Sequence, residues 1–143
     1  MSEQVVEQQV VEQRGIAVAV VVHDGMVLLV RRAEAEGDLL WQFPAGAIEE
    51  GESVSEAAER ETYEETGLSV DAILLLGERV HPASGRYLSY VVCELVTGEA
   101  HVADAEELAE VAWVTHADLP AHVPGGLFGP VQEYLDGHLP HEP

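Results

Sequence analysis

The sequence predicts an α+β domain in which a mixed β-sheet lies between helices, as an α/β/α sandwich. β-branched apolar runs that are typical of strands lie on both sides of one sharply delimited helix, and a second amphipathic helix closes the chain. The 143 residues are enough for one substantial core. We therefore expect a single domain over residues 14–138, an N-terminal extension over 1–13 and a loose C-terminal tail over 139–143.

Acidic residues dominate the charge balance. The chain has 27 Asp and Glu residues, six Arg and no Lys, and its formal net charge is −21. Because nucleic acids are bound largely by neutralising their phosphates with basic groups, no nucleic-acid polymer is expected as a partner. The same charge repels a free phosphate-bearing substrate unless metal ions supply positive charge locally.

Three further features predict a cytoplasmic location and no membrane partner. Cys93 is the only cysteine, so an intrachain disulfide is impossible, as is usual in a reducing compartment. No stretch of about 18 consecutive apolar residues is present. The N-terminus also lacks the basic and apolar regions of a secretory signal.

The first regular element is predicted to be a β-hairpin. The apolar runs 15–22 and 26–32 flank a turn at Asp24 and Gly25. Arg31 and Arg32 end the second strand and must point to opposite faces, so only one of them can face a pocket. Before the hairpin, the Val pairs within residues 2–13 recur after five residues, which predicts a short strand or a disordered tail.

A helix with clear ends follows an acidic loop at 33–40 and the segment 41–46. Ser53 and Glu56 have the spacing of a capping box, so Ser53 is the predicted N-cap. Gly67 is the predicted left-handed residue that ends the helix.

Three carboxylates lie on one face of this helix, because Glu61, Glu64 and Glu65 stand at i, i+3 and i+4. Such a run is often only a solvated acidic surface. Two features favour a metal site instead. Arg60 can fix the direction of a carboxylate, and the segment 43–46 can bring backbone carbonyls to the same face. Clustered oxygen ligands of this kind suit Mg²⁺ or Mn²⁺.

The rest of the chain predicts more strands and a closing helix. Strands are expected over 70–80 and 86–96, joined by a turn, and over 111–114. A short helical turn is expected at 117–120. A closing helix over 126–138 has an apolar side that comprises Leu127, Phe128, Val131, Tyr134 and Leu135.

Residues 46–68 resemble the Nudix box, whose pattern is G-x5-E-x7-R-E-U-x-E-E-x-G-U with U a bulky aliphatic residue. The matching positions are Gly46, Glu52, Arg60, Glu61, Glu64, Glu65, Gly67 and Leu68. The one departure is Thr62, where the family usually has Leu, Ile or Val; we expect a weaker core contact there and an intact site. The chain thus looks like a MutT-like Nudix hydrolase, a resemblance that implies the same α/β/α sandwich.

The resemblance also implies roles for individual residues. The metal-binding set would be Glu61, Glu64 and Glu65, the Ala45 carbonyl, and Glu52 through water unless Glu52 pairs with Arg60. Arg60 would orient these carboxylates, and the general base would be Glu61 or Glu107, with Glu106 as the fallback for Glu107. The expected substrate-binding residues are Arg32, Phe43, Gly46, Arg86 and Tyr87, of which Arg86 and Tyr87, with Tyr90, could offer charge and stacking to a base or ribose.

Several substrates remain open at this point. A nucleoside triphosphate pyrophosphohydrolase, releasing a monophosphate and pyrophosphate, is favoured by the small chain and the position of Arg32. An ADP-ribose or nucleotide-sugar pyrophosphatase is favoured by Pro82, 14 residues after the box, and by Ala45 between Pro44 and Gly46. A coenzyme A pyrophosphatase fits less well. A non-catalytic Nudix-fold binding protein and a calcium buffer are the alternatives from other classes, and a homodimer is compatible with the family.

Overall fold

The computed structural model describes residues 14–36 and 39–142, so the predictions for residues 2–13 lie outside the described part of the chain. The strands are β1 (Ile16–His23), β2 (Met26–Glu36), β3 (Leu39–Gln42), β4 (Ala45–Ala47), β5 (Ser69–Val80), β6 (Tyr87–Thr97) and β7 (Leu108–Val114). The helices are α1 (Val54–Thr66), α2 (Leu119–His122) and α3 (Gly129–His138), and a 3₁₀ turn covers His116–Asp118. None of these helices could span a membrane.

The strands form one mixed sheet. Its order is β3-β2-β1-β6-β5, with β4 paired to β1 and β7 paired to β2. β1 and β6 run parallel, and the other pairs are antiparallel. The predicted mixed sheet is therefore confirmed.

Alternate residues of the central strand β1 serve two cores, as the two-residue period of a strand requires. Val18 and Val20 belong to the core that also contains residues of α3. Ala17 and Ala19 belong to the core on the other face, which contains Ala57 of α1. With α1 and α3 on opposite faces of the sheet, the α/β/α sandwich is confirmed.

The local signals at the hairpin and at α1 are confirmed as well. Asp24 and Gly25 both have positive φ, 54° and 76°, which is the backbone of a two-residue type I′ hairpin turn. Ser53 accepts a hydrogen bond from the Glu56 amide, and the Glu56 carboxylate accepts one from the Ser53 amide. Gly67 ends the helix with φ 78°.

Thr62, the departure from the box, is fully buried under α1. Its hydroxyl donates to the Ala58 carbonyl at 2.7 Å, one turn earlier in the helix. The polar atom that replaces an aliphatic carbon is therefore satisfied within the helix itself.

Three boundaries differ from the prediction. The expected loop at 33–40 is wrong, because β2 continues to Glu36 and β3 begins at Leu39. β7 begins at Leu108 rather than at 111, and the closing helix begins at Gly129 rather than at 126. For the strands, the cause is pairing that local sequence does not encode: β2 and β7 align Arg31 with Glu110, so acidic residues with weak strand propensity continue both strands.

The tail is not loose where it begins. Leu139 is only 3% exposed, lies in the core beside α3 and donates its amide to the Leu135 carbonyl at 2.8 Å. The imidazole of His141 stacks on that of His116, with ring centroids 3.9 Å apart. The prediction of a loose tail from residue 139 is therefore wrong, because an apolar residue just after the helix completes the core.

Replacing Leu139 by Ala should lower the free energy of unfolding by about 2 to 4 kcal/mol, because the change leaves a cavity beside α3. The control is Val96→Ala, a truncation to Ala at a side chain that is 57% exposed, which should stay within about 0.5 kcal/mol of the parent. Denaturant unfolding of the three proteins measures both values. Equal costs for the two variants would contradict the docked tail.

Candidate active site

The three carboxylates of α1 differ in burial although they share one helix face. Glu65 is 4% exposed and Glu61 is mostly buried, whereas the Glu64 side chain is 53% exposed. The difference arises because this face of α1 packs against β4, and Glu64 lies at the outer edge of the contact. The helix therefore presents one buried, one mostly buried and one accessible carboxylate on the same face.

The innermost carboxylate, Glu65, is held by Arg32 and by the backbone of β4. Its Oε2 accepts from Arg32 Nη1 at 3.0 Å, and its Oε1 accepts from the Ala45 amide at 3.4 Å. Arg32 Nη2 also donates to the Ala45 carbonyl at 3.3 Å. Burial raises the pKa of Glu65 to about 7, and the neighbouring Arg32 guanidinium acts in the opposite direction.

Arg60 links the outer carboxylates. Its Nη1 donates to Glu61 at 2.8 Å and to Glu64 at 3.2 Å. Its Nε and Nη2 donate to Glu52 at 2.7 and 2.9 Å, and Nη2 also donates to the Ala47 carbonyl at 3.0 Å. These bonds raise the pKa of Arg60 above its ordinary value, and hydrogen bonding to Arg60 lowers the pKa of Glu52. Of the two arrangements left open for Glu52, the structure shows the pair with Arg60.

Gly46 lets α1 approach β4. It pairs with Ala17 across β1 and β4, and a Cβ atom placed on it would overlap the Glu61 carboxylate. A side chain at this position would require the Glu61 carboxylate to move. Desolvation in this contact raises the pKa of Glu61, while hydrogen bonding to Arg60 opposes the shift.

The carboxylate face opens onto a cavity of about 780 Å³, a volume within the usual range for small-molecule sites. Its acidic wall consists of Glu61, Glu64, Glu65, Asp104 and Glu107. Arg32 lies at this acidic wall, and the other hydrogen-bond donors that border the cavity are Arg79, His81, Ser84 and Arg86. Between them lie apolar and aromatic side chains that include Trp41, Phe43, Leu88, Tyr90, Leu127 and Phe128.

Most of the predicted substrate-binding residues border this cavity, but Tyr87 does not. Arg32, Phe43, Gly46 and Arg86 are among its lining residues. Tyr87 lies on the opposite face of β6, where burial and then Glu78 raise its pKa. Because side chains alternate along a strand, Tyr90 faces the cavity instead.

Glu107 borders the cavity and Glu106 does not. The Glu107 side chain is 63% exposed, and its Oε2 lies 3.7 Å from Arg32 Nη1. Its position follows from the backbone: the Glu107 carbonyl accepts from the Ala33 amide at 2.8 Å, which ties this loop to the end of β2.

Sequence reasoning did not assign several lining residues to the site, among them Trp41, Asp104 and Phe128. Asp104 is distant in sequence from the helix, and Phe128 was assigned to the closing helix. Trp41 lies on β3, a strand that was not predicted. No local signal marks them, because the crossing of strands and the start of α3 bring them to the cavity. The spacing of apolar residues in the closing helix identifies Phe128 only as an apolar residue.

The site thus combines a carboxylate-bearing helix, a glycine contact beneath it and a cavity that arginines border. A family model described as NUDIX domain matches residues 13–130. The chain belongs to the NUDIX family.

Individual relatives agree with that assignment. The chain is 36% identical over 105 residues to a putative mutator protein MutT4 of Mycobacterium tuberculosis, covering 66% of this chain and 40% of that protein. It is 33% identical over 107 residues to a putative 8-oxo-dGTP diphosphatase of Bacillus subtilis, covering 75% of this chain and 69% of that protein. Across three of the curated relatives that it matches, the chain spans 27% to 69% of their length.

A solved structure supports the fold. The crystal structure of a MutT NUDIX hydrolase from Burkholderia pseudomallei aligns with a TM-score of 0.65 at 24% identity. The alignment covers 89% of this chain and 98% of that one.

Replacing Gly46 by Ala should lower the free energy of unfolding by about 1 to 3 kcal/mol, because the new methyl group displaces the Glu61 carboxylate from Arg60. The control is Gly129→Ala, where an added Cβ meets open space. Thermal or denaturant unfolding of both variants checks the difference. A Gly46 variant as stable as the Gly129 variant would show that the Glu61 carboxylate is not held against Gly46.

Without divalent metal, stability should depend on pH through Glu65. Its pKa is about 7 in the folded protein, above the ordinary 4.5, so the folded state holds this proton more tightly than the unfolded chain. The free energy of unfolding should fall as pH rises from about 4.5 through 7, by about 2 to 4 kcal/mol from this group. Urea unfolding in the presence of a chelator measures the slope.

The Glu65→Gln variant should have a shallower slope over this range, because it cannot ionise. Glu133→Gln, at an exposed carboxylate on α3, should keep the parent slope. A parent-like slope in the Glu65 variant would contradict the assignment of this pH dependence to Glu65.

Proposed function

We propose that the chain is a divalent-metal-dependent hydrolase that cleaves a phosphoanhydride bond of a nucleoside diphosphate linked to another moiety. We further propose a (deoxy)nucleoside triphosphate as substrate, with a nucleoside monophosphate and pyrophosphate as products. The observation that carries the proposal is the convergence of Glu61, Glu64 and Glu65 on one wall of a cavity of about 780 Å³ that Arg32 also borders.

The donor set suits a divalent cation. Nudix hydrolases generally use such ions, and Mg²⁺ or Mn²⁺ is bound mainly by oxygen atoms. Burial raises the pKa values of Glu61 and Glu65, so a cation beside them would offset the cost of their ionisation. The residues that would hold it are Glu61, Glu64, Glu65 and the Ala45 carbonyl.

Arg32 now bonds two of these oxygen-bearing groups, Glu65 and the Ala45 carbonyl. Its guanidinium therefore supplies the positive charge that these groups require in the present arrangement. We propose that Arg32 turns toward the substrate phosphates when a cation takes its place. Its length and its position at the cavity wall are compatible with both arrangements.

The chemistry that a bound divalent ion supplies is a lower pKa for water and neutralisation of charge on phosphate oxygens. In the proposed hydrolysis, the water oxygen bonds to phosphorus, the bridging P–O bond breaks, and the water proton passes to a carboxylate. Glu61 and Glu107 are the two candidates for that base. Arg60 is proposed to orient the carboxylates, since it bonds Glu52, Glu61 and Glu64 together.

Similarity to a putative 8-oxo-dGTP diphosphatase over 75% of this chain supports a nucleoside triphosphate substrate. The aromatic and apolar middle of the cavity offers surfaces for a base. Pro82, whose distance from the box favours ADP-ribose, lies in the turn between β5 and β6. His81 and Ser84 of this turn border the cavity, but Pro82 does not. ADP-ribose and a UDP-sugar are therefore comparison substrates.

A cytoplasmic location and a homodimer complete the proposal. For assembly, the exposed apolar run Ile73 to Leu75 on the edge strand β5 is a surface on which a second copy could pack. Light scattering during gel filtration distinguishes a monomer from a dimer, and a monomer at all concentrations would remove this part of the proposal.

Replacing Glu64 by Gln should lower turnover by orders of magnitude and leave the fold intact, because the variant loses one charged ligand at the accessible end of the helix face. Glu133→Gln makes the same charge change on α3 and should keep parent activity. Product analysis with Mg²⁺ or Mn²⁺ on dNTPs, 8-oxo-dGTP, ADP-ribose and a UDP-sugar measures both. Near-parent turnover of the Glu64 variant, with unchanged unfolding, would refute the metal-ligand assignment.

The same panel tests the substrate and the base. Monophosphate plus pyrophosphate from a triphosphate supports the proposal, whereas AMP plus ribose 5-phosphate from ADP-ribose alone would replace it with the second substrate class. Comparison of Glu61→Gln with Glu107→Gln separates the two candidate bases. Metal binding without turnover on any substrate would favour a non-catalytic Nudix-fold binding protein.

A further inference from the structure

Two further arginines line the cavity, Arg79 on β5 and Arg86 just before β6. Gly46, Ala17, Ser89 and Glu78 align across β4, β1, β6 and β5, so the neighbouring Arg79 lies three strand spacings from Gly46. At the usual strand separation this distance is about 14 Å along the sheet. The backbone of Arg79 is therefore separate from the proposed metal ligands, although its side chain borders the same cavity.

Neither of these arginines is neutralised by a neighbouring carboxylate in the part of the chain that the structure describes. Arg31, Arg32 and Arg60 all form ion pairs with Glu residues there, but Arg79 and Arg86 form none. In a chain with 27 acidic residues and only six Arg, this arrangement leaves two cationic side chains at the cavity for a ligand.

Both guanidinium groups are held in place by neutral partners. Arg79 donates to the Tyr90 hydroxyl through Nε at 3.2 Å and Nη2 at 3.1 Å, and its guanidinium carbon lies 4.7 Å from the centre of the Phe128 ring. Arg86 donates to the Arg14 carbonyl through Nη2 at 2.8 Å and Nε at 3.3 Å. In both arginines Nη1, which carries two N–H donors, takes part in none of these bonds.

The turn between β5 and β6 adds two more donors. His81 Nδ1 accepts from the amides of Ala83 at 3.2 Å and Ser84 at 3.3 Å, so the neutral ring carries its proton on Nε2. His81 and Ser84 both border the cavity. The side chains of Arg79, His81, Ser84 and Arg86, which we call the donor subsite, thus present N–H and O–H groups and no carboxylate.

We propose that the donor subsite binds a second phosphate group of the substrate, one that is not part of the cleaved anhydride. Guanidinium groups bind phosphate through charge-assisted hydrogen bonds, and the carboxylate wall cannot bind phosphate without a metal ion. The substrate class is then a nucleotide with an additional phosphate, such as one on its ribose. This inference rests on the proposed function only in that the cavity is the substrate site.

The test compares ligands that differ by one phosphate. Calorimetric titration of the protein with Mg²⁺ should show adenosine 3′,5′-bisphosphate or adenosine 2′,5′-bisphosphate binding at least about tenfold more tightly than AMP, the size expected for a hydrogen bond to a charged group. Arg79→Gln should remove most of this preference and leave AMP affinity nearly unchanged, and Arg86→Gln should weaken both bisphosphates more than AMP. Arg79→Lys, which keeps the charge, should retain part of it.

Arg31→Gln is the matched control, because it makes the same change in net charge at an arginine that pairs with Glu110 and does not border the cavity. It should keep the parent preference for both bisphosphates. Thermal unfolding of each variant identifies any general loss of structure, and Arg86→Gln tests the subsite without disturbing the Phe128 contact of Arg79.

Two results would overturn the proposal: a parent protein that binds AMP and both bisphosphates equally, or variants of Arg79 and Arg86 that weaken all three ligands alike. Neither result depends on turnover, so a failure of this proposal can be distinguished from a failure of the proposed hydrolysis. A bisphosphate preference that Arg79→Gln abolishes and Arg86→Gln reduces supports the subsite even if no substrate of the panel is cleaved.

Discussion

The site depends on the close approach of α1 to the sheet. Ala57 and Ala58 are fully buried where the helix meets the sheet, and Gly46 leaves no side chain between β4 and the Glu61 carboxylate. A larger residue at Ala57 or Ala58 would have to displace core residues, and one at Gly46 would displace the Glu61 carboxylate. The approach is what removes Glu61 and Glu65 from water and gives them raised pKa values. A packing constraint on small residues thus sets the electrostatics of the site.

Burying acidic groups in a chain of net charge −21 requires compensating cations, and the chain has few. Arg60 and Arg32 divide the task. Arg60 connects the outer carboxylates to Glu52, and Arg32 connects the innermost carboxylate to the backbone of β4. Because each arginine bonds several oxygen atoms at once, two cations hold in place a cluster that would otherwise repel itself. A divalent cation would extend the same compensation.

The arginines that do not serve this cluster show how the rest of the cavity differs from it. Arg79 and Arg86 are fixed by a hydroxyl, an aromatic ring and a carbonyl rather than by carboxylates. One cavity therefore has an acidic end suited to cations and a donor-rich end suited to anions, with apolar side chains between them. This polarity suits an extended nucleotide with its ends in different environments.

The sequence alone determined the helix and its chemistry, because these signals are local. The capping box at Ser53, the left-handed Gly67 and the i, i+3, i+4 spacing of Glu61, Glu64 and Glu65 depend only on backbone geometry within a few residues. The same holds for the hairpin at Asp24 and for the opposite directions of Arg31 and Arg32. The fold class followed from these elements and from the match to a family pattern.

Only the tertiary structure decided which distant residues share the cavity. Strand pairing extended β2 and β7 through acidic residues, alternation along β6 selected Tyr90 over Tyr87, and core packing buried Leu139. These outcomes depend on partners many residues away, whose contribution to stability exceeds the weak local preference of each segment. Local sequence thus determined the carboxylate helix, and long-range packing decided which other groups join it in the cavity.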